Sequence, residues 1–156
     1  MKTLIASVLA VCLILEISAA RVPAASEPGW QPEKTWVFAV GVLSWKHSET
    51  YGSFPVKSRR DNALVDFFRQ KGVPDSQIVY LQDKQATQKR IDSAFSEQLK
   101  KLSADDLLVV YYAGHGSQSD EGDDVFLASY DAGDDQVDGW SVNSIPGKIN
   151  ASKWKI

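Results

Sequence analysis

The feature that most constrains this fold is an uninterrupted apolar run, LLVVYYA, at residues 107–113. A run of this length, rich in β-branched and aromatic side chains, is typical of a strand that is buried on both faces. Residues 36–43 (WVFAVGVL) form a second such run, and shorter strand candidates lie at residues 78–81 and 125–128. Strands that are apolar along their whole length favour a parallel sheet covered on both sides. The sequence therefore predicts an α/β fold with a mainly parallel sheet.

Two amphipathic helices are predicted between these strands. The first begins at residues 58–61 (SRRD), which are similar to a capping box, and ends where Gly72 is followed by Pro74. The second spans about residues 87–102 and shows the three- and four-residue spacing of a helix. The side chains expected to face the sheet are Ala63, Leu64, Phe67 and Phe68 in the first helix, and Ile91, Ala94, Phe95, Leu99 and Leu102 in the second.

The first twenty residues have the organisation of a secretory signal peptide. Lys2 supplies a positive n-region, residues 4–15 are apolar apart from Ser7, and Ser18-Ala19-Ala20 supplies the small side chains that signal peptidase needs. The apolar run is about a dozen residues long, whereas a membrane-spanning helix needs roughly twenty. We therefore expect cleavage after residue 20, an irregular linker at residues 21–35, and a secreted or periplasmic protein that is free of the membrane.

The only cysteine in the sequence, Cys12, lies inside this predicted signal peptide. Cleavage would leave a mature chain with no disulfide, no thiolate metal site and no thiol nucleophile. A net charge of −3 and the lack of a basic cluster argue against nucleic acid as a partner. No phosphate-binding glycine loop is present, and we expect neither a cofactor nor a metal. The sequence does not indicate an oligomeric state.

Gly114-His115-Gly116 follows the run at residues 107–113 directly. The carboxyl ends of parallel strands are where α/β folds place functional sites, and flanking glycines let a substrate approach the backbone closely. Because imidazole exchanges a proton near neutral pH, His115 is a candidate general base, and the Gly116 N–H is a candidate oxyanion donor. A tight turn with a structural histidine is the alternative interpretation. The other histidine, His47, is predicted to be a solvated loop residue.

Residues 109–118 (VVYYAGHGSQ) resemble the histidine-bearing strand end of caspases, metacaspases and bacterial caspase-like peptidases. The order of the other segments is similar across residues 36–140, including FLASYDA at residues 126–132. The resemblance implies a caspase-like three-layer fold and a cysteine–histidine dyad that hydrolyses peptide bonds in protein or peptide substrates. It assigns the dyad histidine to His115 and the oxyanion-binding glycine to Gly116.

The dyad cysteine corresponds to no residue of this sequence. In caspases it follows the histidine by about fifty residues, which places it near position 165. Residues 143–156 contain Pro146 and Gly147 and no further strand pattern. We therefore expect residues 36–156 to be an incomplete, inactive catalytic domain whose C-terminal part is missing. A pseudoenzyme or binding module of the same fold is one alternative, and an α/β-hydrolase fragment with a serine nucleophile is another, although no Gly-x-Ser-x-Gly elbow is present.

Two charged segments leave their roles open. Eight carboxylates and no Lys or Arg lie between residues 120 and 138. Because their spacing matches no loop-type calcium motif, a solvated acidic surface is favoured over a calcium site. Arg59 and Arg60 are predicted to lie on the exposed start of the first helix, and the alternative is that they line a pocket for an acidic substrate side chain. The residue preferred before the scissile bond is not determined by these patterns.

Overall fold

A computed structural model of the chain describes residues 29–133 and 139–152. The chain divides into two units, Met1–Trp30 and Gln31–Ile156, and every element below belongs to the second unit. The predicted signal peptide at residues 1–20 and most of the predicted linker at residues 21–35 lie outside the described residues. Within the described ranges, no helix has the length and apolar character needed to cross a bilayer.

Three parallel strands form the main sheet: β1 (Thr35–Gly41), β2 (Ile78–Gln82) and β3 (Leu107–Ala113). The predicted α/β class with a parallel sheet is therefore confirmed. The strand order is β2-β1-β3, which makes β1 the central and most buried strand. In the described sheet β3 pairs with β1 alone, and its side chains are partly exposed. The prediction that residues 107–113 form a fully buried strand is wrong, because in the described sheet this most apolar strand lies at an edge.

The carboxyl ends of the three strands lie side by side. Gly41 at the end of β1 is aligned with Gln82 of β2 and with Ala113 of β3. The chain passes from β1 to β2, which pairs on one side of β1, and later returns to β3, which pairs on the other side of β1. Such a reversal of strand order opens a crevice between the loops that follow the two diverging strands. Here those loops follow β1 and β3.

Two helices cover opposite faces of the sheet: α1 (Arg60–Gln70) and α2 (Gln88–Leu99). Side chains alternate between the faces of β1, so this one strand contributes to two separate cores. The core on the α1 side contains Val37, Ala39, Val65, Phe68 and Val73, and the core on the α2 side contains Phe38, Val40, Ile91, Phe95 and Trp140.

The start of α1 differs from the prediction. Its N-cap residue is Arg59, in an extended conformation and without a capping side-chain hydrogen bond, so the predicted capping box at residues 58–61 is wrong. The helix begins one residue later than that box requires, so Arg59 takes the N-cap position, and its guanidinium has no acceptor for a main-chain N–H. The end of the helix is as predicted, because Gly72 follows it with a φ of 94°.

The buried stripe of α1 also differs from the predicted one. It consists of Asp61, Val65 and Phe68, whose spacing of four and three residues is helical. Phe67 is 47% exposed, and Ala63 is exposed as well. The sequence pattern misplaced this stripe because its first member is a carboxylate, which is seldom fully buried unless it is paired.

The second helix is closer to its prediction. Thr87 is the N-cap of α2, and its hydroxyl accepts a hydrogen bond from the Arg90 N–H at 3.3 Å. The helix ends at Leu99, so Leu102 lies beyond it. The buried side chains of α2 include four predicted ones, Ile91, Ala94, Phe95 and Leu99.

A second, antiparallel sheet follows β3. Its strands are β4 (Gly116–Gln118), β5 (Val125–Leu127) and β6 (Trp140–Ser141), in this order. The strand predicted at residues 125–128 exists, but it belongs to this sheet and not to the parallel one. The helix α3 (Ser144–Ala151) comes next, in a segment for which no element was predicted. Pro146 lies in its first turn, where the N–H that proline lacks has no intrahelical partner.

Candidate functional site

His115 follows the carboxyl end of β3, and a single glycine separates it from the strand. A side chain at Gly114 would not fit, because its Cβ would lie 2.4 Å from the Tyr112 hydroxyl oxygen and 3.1 Å from the Val42 carbonyl oxygen. The Val42 N–H also donates to the Ala113 carbonyl at 2.8 Å. The glycine before His115 is therefore required by the close packing of the β1 loop against the end of β3.

One ring nitrogen of His115 is held by the main chain. Nε2 lies 2.9 Å from the carbonyl oxygen of Gly52, in the loop that follows β1. A carbonyl oxygen can only accept, so Nε2 carries the proton in the neutral imidazole and Nδ1 is the basic nitrogen. Within the described residues, Nδ1 makes no hydrogen bond. A half-buried histidine thus presents its basic nitrogen in a defined orientation.

Three aromatic rings from the same loop contact the His115 imidazole. Phe54 stacks on it, with ring centroids 4.5 Å apart and planes inclined by 29°. Trp45 lies at 4.7 Å and Tyr51 at 5.8 Å, both tilted. These contacts restrict the tilt of the imidazole, while the bond to Gly52 fixes its rotation in the plane. We call Trp45, Tyr51, Phe54 and His115 the aromatic cluster.

The main chain of His115 is fixed from the opposite side. The Tyr112 hydroxyl lies 2.6 Å from the His115 carbonyl oxygen and 2.9 Å from that of Ala128. The Ala128 N–H donates to the His115 carbonyl at 2.9 Å, and the Trp45 indole N–H donates to the Ala128 carbonyl at 3.3 Å. Burial raises the pKa of Tyr112 above its usual range, so the phenol stays protonated and remains a donor.

The Gly116 amide points out of the second sheet. Bonded and non-bonded pairs alternate along an antiparallel ladder. Because the His115 carbonyl accepts the bond from Ala128, the next residue, Gly116, occupies a non-bonded position opposite Leu127. Its N–H is therefore directed away from β5, and the residue is exposed. An outward amide one residue from a candidate base is suited to binding a developing oxyanion.

A second cluster lies at the carboxyl ends of β1 and β2. Arg59 donates to Asp61 at 2.8 Å and also contacts Asp83, and the Tyr80 hydroxyl donates to Asp61 at 2.6 Å. The side chain of Arg59 is 10% exposed and that of Asp61 is 0% exposed, so the predicted exposed position of Arg59 is wrong. Burial lowers the pKa of Arg59, but the charges of Asp83 and Asp61 outweigh this effect and raise it. We call Arg59, Asp61, Tyr80 and Asp83 the ionic cluster. Arg60 is exposed, as predicted.

The ionic cluster holds the start of the β1 loop in place. A Cβ on Gly41 would lie 1.8 Å from a carboxylate oxygen of Asp61, so only glycine fits at the end of β1. Asp83 has a φ of 41° and accepts hydrogen bonds from the N–H groups of Leu43 (2.8 Å) and Ser44 (3.3 Å). The ionic cluster therefore anchors the first residues of the loop that carries Trp45, Tyr51 and Phe54.

Two carboxylates of the acidic segment have structural roles. Asp124 accepts hydrogen bonds from Ser141 and from the Asn143 N–H, and the bond from Ser141 lowers the pKa of Asp124. Asp131 accepts a bond from the Gln88 N–H at 2.8 Å, at the start of α2. Asp131 is exposed, as predicted, and Asp124 is partly exposed. Both carboxylates also bind main-chain donors at the ends of elements, which the prediction of a solvated surface did not include.

The remaining carboxylates of the segment form a surface. Asp120, Glu121 and Asp123 are exposed, as predicted. Asp134, Asp135 and Asp138 lie outside the described residues. Among the residues that the structure describes, no group of three or more His, Cys, Asp or Glu side chains is placed to hold a metal ion.

The structure brings His115 together with residues that the sequence did not indicate. Gly52 and the three aromatic residues were missed, and the available signal was the concentration of aromatic side chains in one polar loop. His47 lies in the same loop but faces solvent, with a 38% exposed side chain 3.3 Å from Glu49, as predicted. The only cysteine, Cys12, lies outside the described residues.

No family model matches this chain, and no curated protein matches it.

Proposed function

We propose that this chain is the histidine-bearing part of a caspase-like cysteine endopeptidase domain, in which His115 manages the proton of a thiol nucleophile. The observation that carries the proposal is the 2.9 Å contact between His115 Nε2 and the Gly52 carbonyl. It leaves Nδ1 as a basic nitrogen at the carboxyl end of a parallel strand, next to the outward amide of Gly116. An oriented base and an oxyanion donor are two groups that acyl transfer by a thiol requires.

The proposed reaction uses these groups in sequence. Nδ1 of neutral His115 accepts the thiol proton, and the thiolate attacks the carbonyl carbon of a peptide bond. The Gly116 N–H binds the oxygen that becomes negative. The imidazolium then protonates the departing amide nitrogen as the C–N bond breaks, which leaves a thioester on the enzyme. Water, deprotonated by the same imidazole, hydrolyses the thioester and restores the thiol. Proteins or peptides are the substrates in this scheme.

The resemblance places the nucleophile beyond the sequence in hand. It puts the dyad cysteine about fifty residues after His115, on a further strand. The order β2-β1-β3 with helices on both faces supports a caspase-like three-layer arrangement. In the described sheet the outer edge of β3 is open, and a further parallel strand can pair there. The predicted signal peptide at residues 1–20 makes the proposed enzyme a secreted or periplasmic one.

The orientation of His115 can be tested in this chain without a nucleophile. Long-range proton–nitrogen NMR spectra are expected to show neutral His115 protonated at Nε2 and unprotonated at Nδ1. The variant His47→Asn removes the only other histidine and makes the assignment unambiguous. A neutral His115 that carries its proton on Nδ1 would contradict the proposed role.

The proposed activity can be tested in a longer reading frame, where the resemblance implies a nucleophile. We expect the downstream sequence to encode an apolar strand and a cysteine about fifty residues after His115. The extended protein should cleave peptides, and replacing either that cysteine or His115 by alanine should lower kcat/KM by roughly 10⁴-fold or more, because dyad members act as a unit. His47→Ala is the matched control and should retain full activity.

The same experiment has clear contrary outcomes. The 156-residue product is expected to hydrolyse no arginyl, lysyl or aspartyl peptide. Cleavage by that product, insensitive to iodoacetamide and abolished by His115→Ala, would indicate a serine or metal mechanism. An extended protein that keeps its rate after His115→Ala would show that the Gly-His-Gly turn is structural.

A further inference from the structure

The second sheet has an open edge that begins beside His115. The His115 carbonyl is bonded at 2.9 Å to the residue after β5, and the Ser119 N–H is bonded at 3.0 Å to the residue before β5. Bonded positions along β4 are therefore the odd-numbered ones. The N–H and C=O groups of Gly116 and Gln118 point away from β5, and both residues are exposed. Among the described residues, β4 pairs with β5 alone.

Two successive outward peptide units form a template for another extended chain. We propose that β4 binds the main chain of an extended peptide substrate as an additional strand of the second sheet. This inference rests on the proposed function, because Gly116 is both the first residue of the edge and the proposed oxyanion donor. The Gly116 N–H meets the carbonyl that is attacked, and Gln118 binds the peptide about two residues, or ~7 Å, away.

The charges at the far end of the edge indicate what the peptide carries. Asp120, Glu121 and Asp123 are exposed in the turn between β4 and β5. Because strand residues are spaced by about 3.3 Å, a peptide paired with β4 reaches this turn about four residues from the bond that is cleaved. A lysine or arginine there is attracted by the three carboxylates, and salt screens this attraction. The inferred occupant is therefore an extended peptide with a basic residue about four positions from the cleaved bond.

Binding can be measured in the chain as it stands. The probe is a blocked octapeptide of alternating threonine and valine with lysine at both ends, which favours an extended conformation. Titration followed by proton–nitrogen NMR is expected to give saturable shifts that are largest at the Gly116 and Gln118 amides, with at least tenfold slower hydrogen exchange at both. A probe with glutamate at both ends should bind at least threefold more weakly at low salt.

A pair of variants tests the contribution of the outward main-chain N–H of Gln118. Gln118→Pro removes an N–H that β5 does not use, which an edge strand tolerates, and should weaken binding about tenfold. Gln118→Ala keeps that N–H and removes the side chain, whose amide donates to the Gly122 carbonyl at 3.1 Å, and should bind within twofold of the parent. If Gln118→Pro does not fold, a probe methylated at every peptide nitrogen tests the same pairing and should cause no shift.

Several results would overturn the inference. One is equal affinity of the parent chain and Gln118→Pro for the probe. The others are probe-induced NMR shifts centred away from β4, and no NMR shift at millimolar probe concentration. Concentration-dependent shifts of Gly116 and Gln118 without the probe would assign the edge to a second copy of the chain instead. Absence of probe binding together with neutral His115 protonated at Nε2 would refute this inference alone, whereas the opposite tautomer would refute the proposed function itself.

Discussion

The aromatic cluster and the ionic cluster both lie at the carboxyl ends of the parallel strands. One consists mainly of aromatic rings, and the other mainly of charged side chains. The ionic cluster balances a buried guanidinium with two carboxylates, and it contains Asp61, a fully buried charge. The aromatic cluster orients His115 with rings and one main-chain carbonyl. In the described residues, His115 Nδ1 and the neighbouring Gly116 N–H have no hydrogen-bond partner.

The two clusters are expected to have different roles: the ionic cluster stabilises the fold, and the aromatic cluster orients the candidate base. A buried, strongly paired charge invites a functional interpretation. Arg59, however, donates to Asp61 and Asp83, and Asp61 accepts at Oδ2 while its Oδ1 is buried away from solvent without a partner among the described residues. His115 is held just as firmly, but through groups that leave one nitrogen unused. We therefore expect changes in the ionic cluster to alter the free energy of unfolding, and changes in the aromatic cluster to alter the orientation of His115.

The largest effect on stability is expected for Arg59→Met. This change leaves the Asp61 carboxylate buried without its cation and should lower the free energy of unfolding by about 3–5 kcal/mol. Urea unfolding followed by tryptophan fluorescence measures it. Arg60→Met, at the exposed neighbouring position, is the control and should change stability by no more than about 0.5 kcal/mol.

A double variant sharpens this result. In Arg59→Met with Asp61→Asn neither member of the pair is charged, so the double variant should be more stable than Arg59→Met alone. If the double variant were less stable than Arg59→Met, the buried Asp61 charge would not be the cause of the loss. Equal stability of Arg59→Met and Arg60→Met would remove the contrast between the two clusters.

Strand β3, which leads to His115, offers a matched pair of adjacent tyrosines on opposite faces of the sheet. Tyr112 bonds the carbonyls of His115 and Ala128, whereas the hydroxyl of Tyr111 makes no hydrogen bond with a described residue. Tyr112→Phe should lower the free energy of unfolding by about 1–2 kcal/mol and shift the His115 NMR signals, because a buried donor is lost. Tyr111→Phe should leave stability within about 0.5 kcal/mol and the His115 signals unchanged.

The pair also tests whether the main-chain support of His115 matters. Equal losses in the two variants would mean that the Tyr112 hydroxyl contributes no specific bond. A loss in Tyr112→Phe without any change at His115 would mean that the aromatic rings and Gly52 position the imidazole by themselves.

The sequence predicted those features that depend on burial of apolar side chains. Residues 107–113 and 36–43 identified two strands, and the position of His115 followed from the first of them. The strand order was not predictable from apolar content, because an edge strand that leaves room for another strand is as apolar as a central one. For the same reason, the strand at residues 125–128 was assigned to the wrong sheet.

Features that depend on a specific partner were missed. Asp61 is buried beside Arg59 and Tyr80, which both donate to its Oδ2 and lie two and nineteen residues away along the chain. Its other oxygen, Oδ1, has no hydrogen-bond partner among the described residues. Gly52 orients His115 across sixty-three residues through a carbonyl group that every residue has. No pattern of side chains encodes such a contact, so the candidate base was predictable but its orientation was not.

The smallest expected effect is a difference in pH dependence between two tyrosines with a raised pKa: Tyr80 in the ionic cluster, and Tyr112, which lies beside the aromatic cluster and contacts the His115 main chain. Burial is the main cause for both Tyr112 and Tyr80, and a hydrogen bond to Asp61 adds to it for Tyr80. In the unfolded chain a tyrosine ionises near pH 10, so above about that pH the native state binds more protons than the unfolded one. The stabilisation is complete below that pH and is lost as the pH rises toward the native pKa.

Urea unfolding at pH 9 and pH 11 measures this loss, with tyrosinate absorbance reporting ionisation. Tyr112→Phe should reduce the alkaline loss by about 1 kcal/mol, since each proton contributes about 1.4 kcal/mol per pH unit above the unfolded pKa. Tyr80→Phe should reduce it by less, because Tyr80 is more exposed and water screens its interactions. A larger effect for Tyr80→Phe than for Tyr112→Phe would reverse the comparison, because it would make the ionic cluster the more strongly pH-dependent of the two.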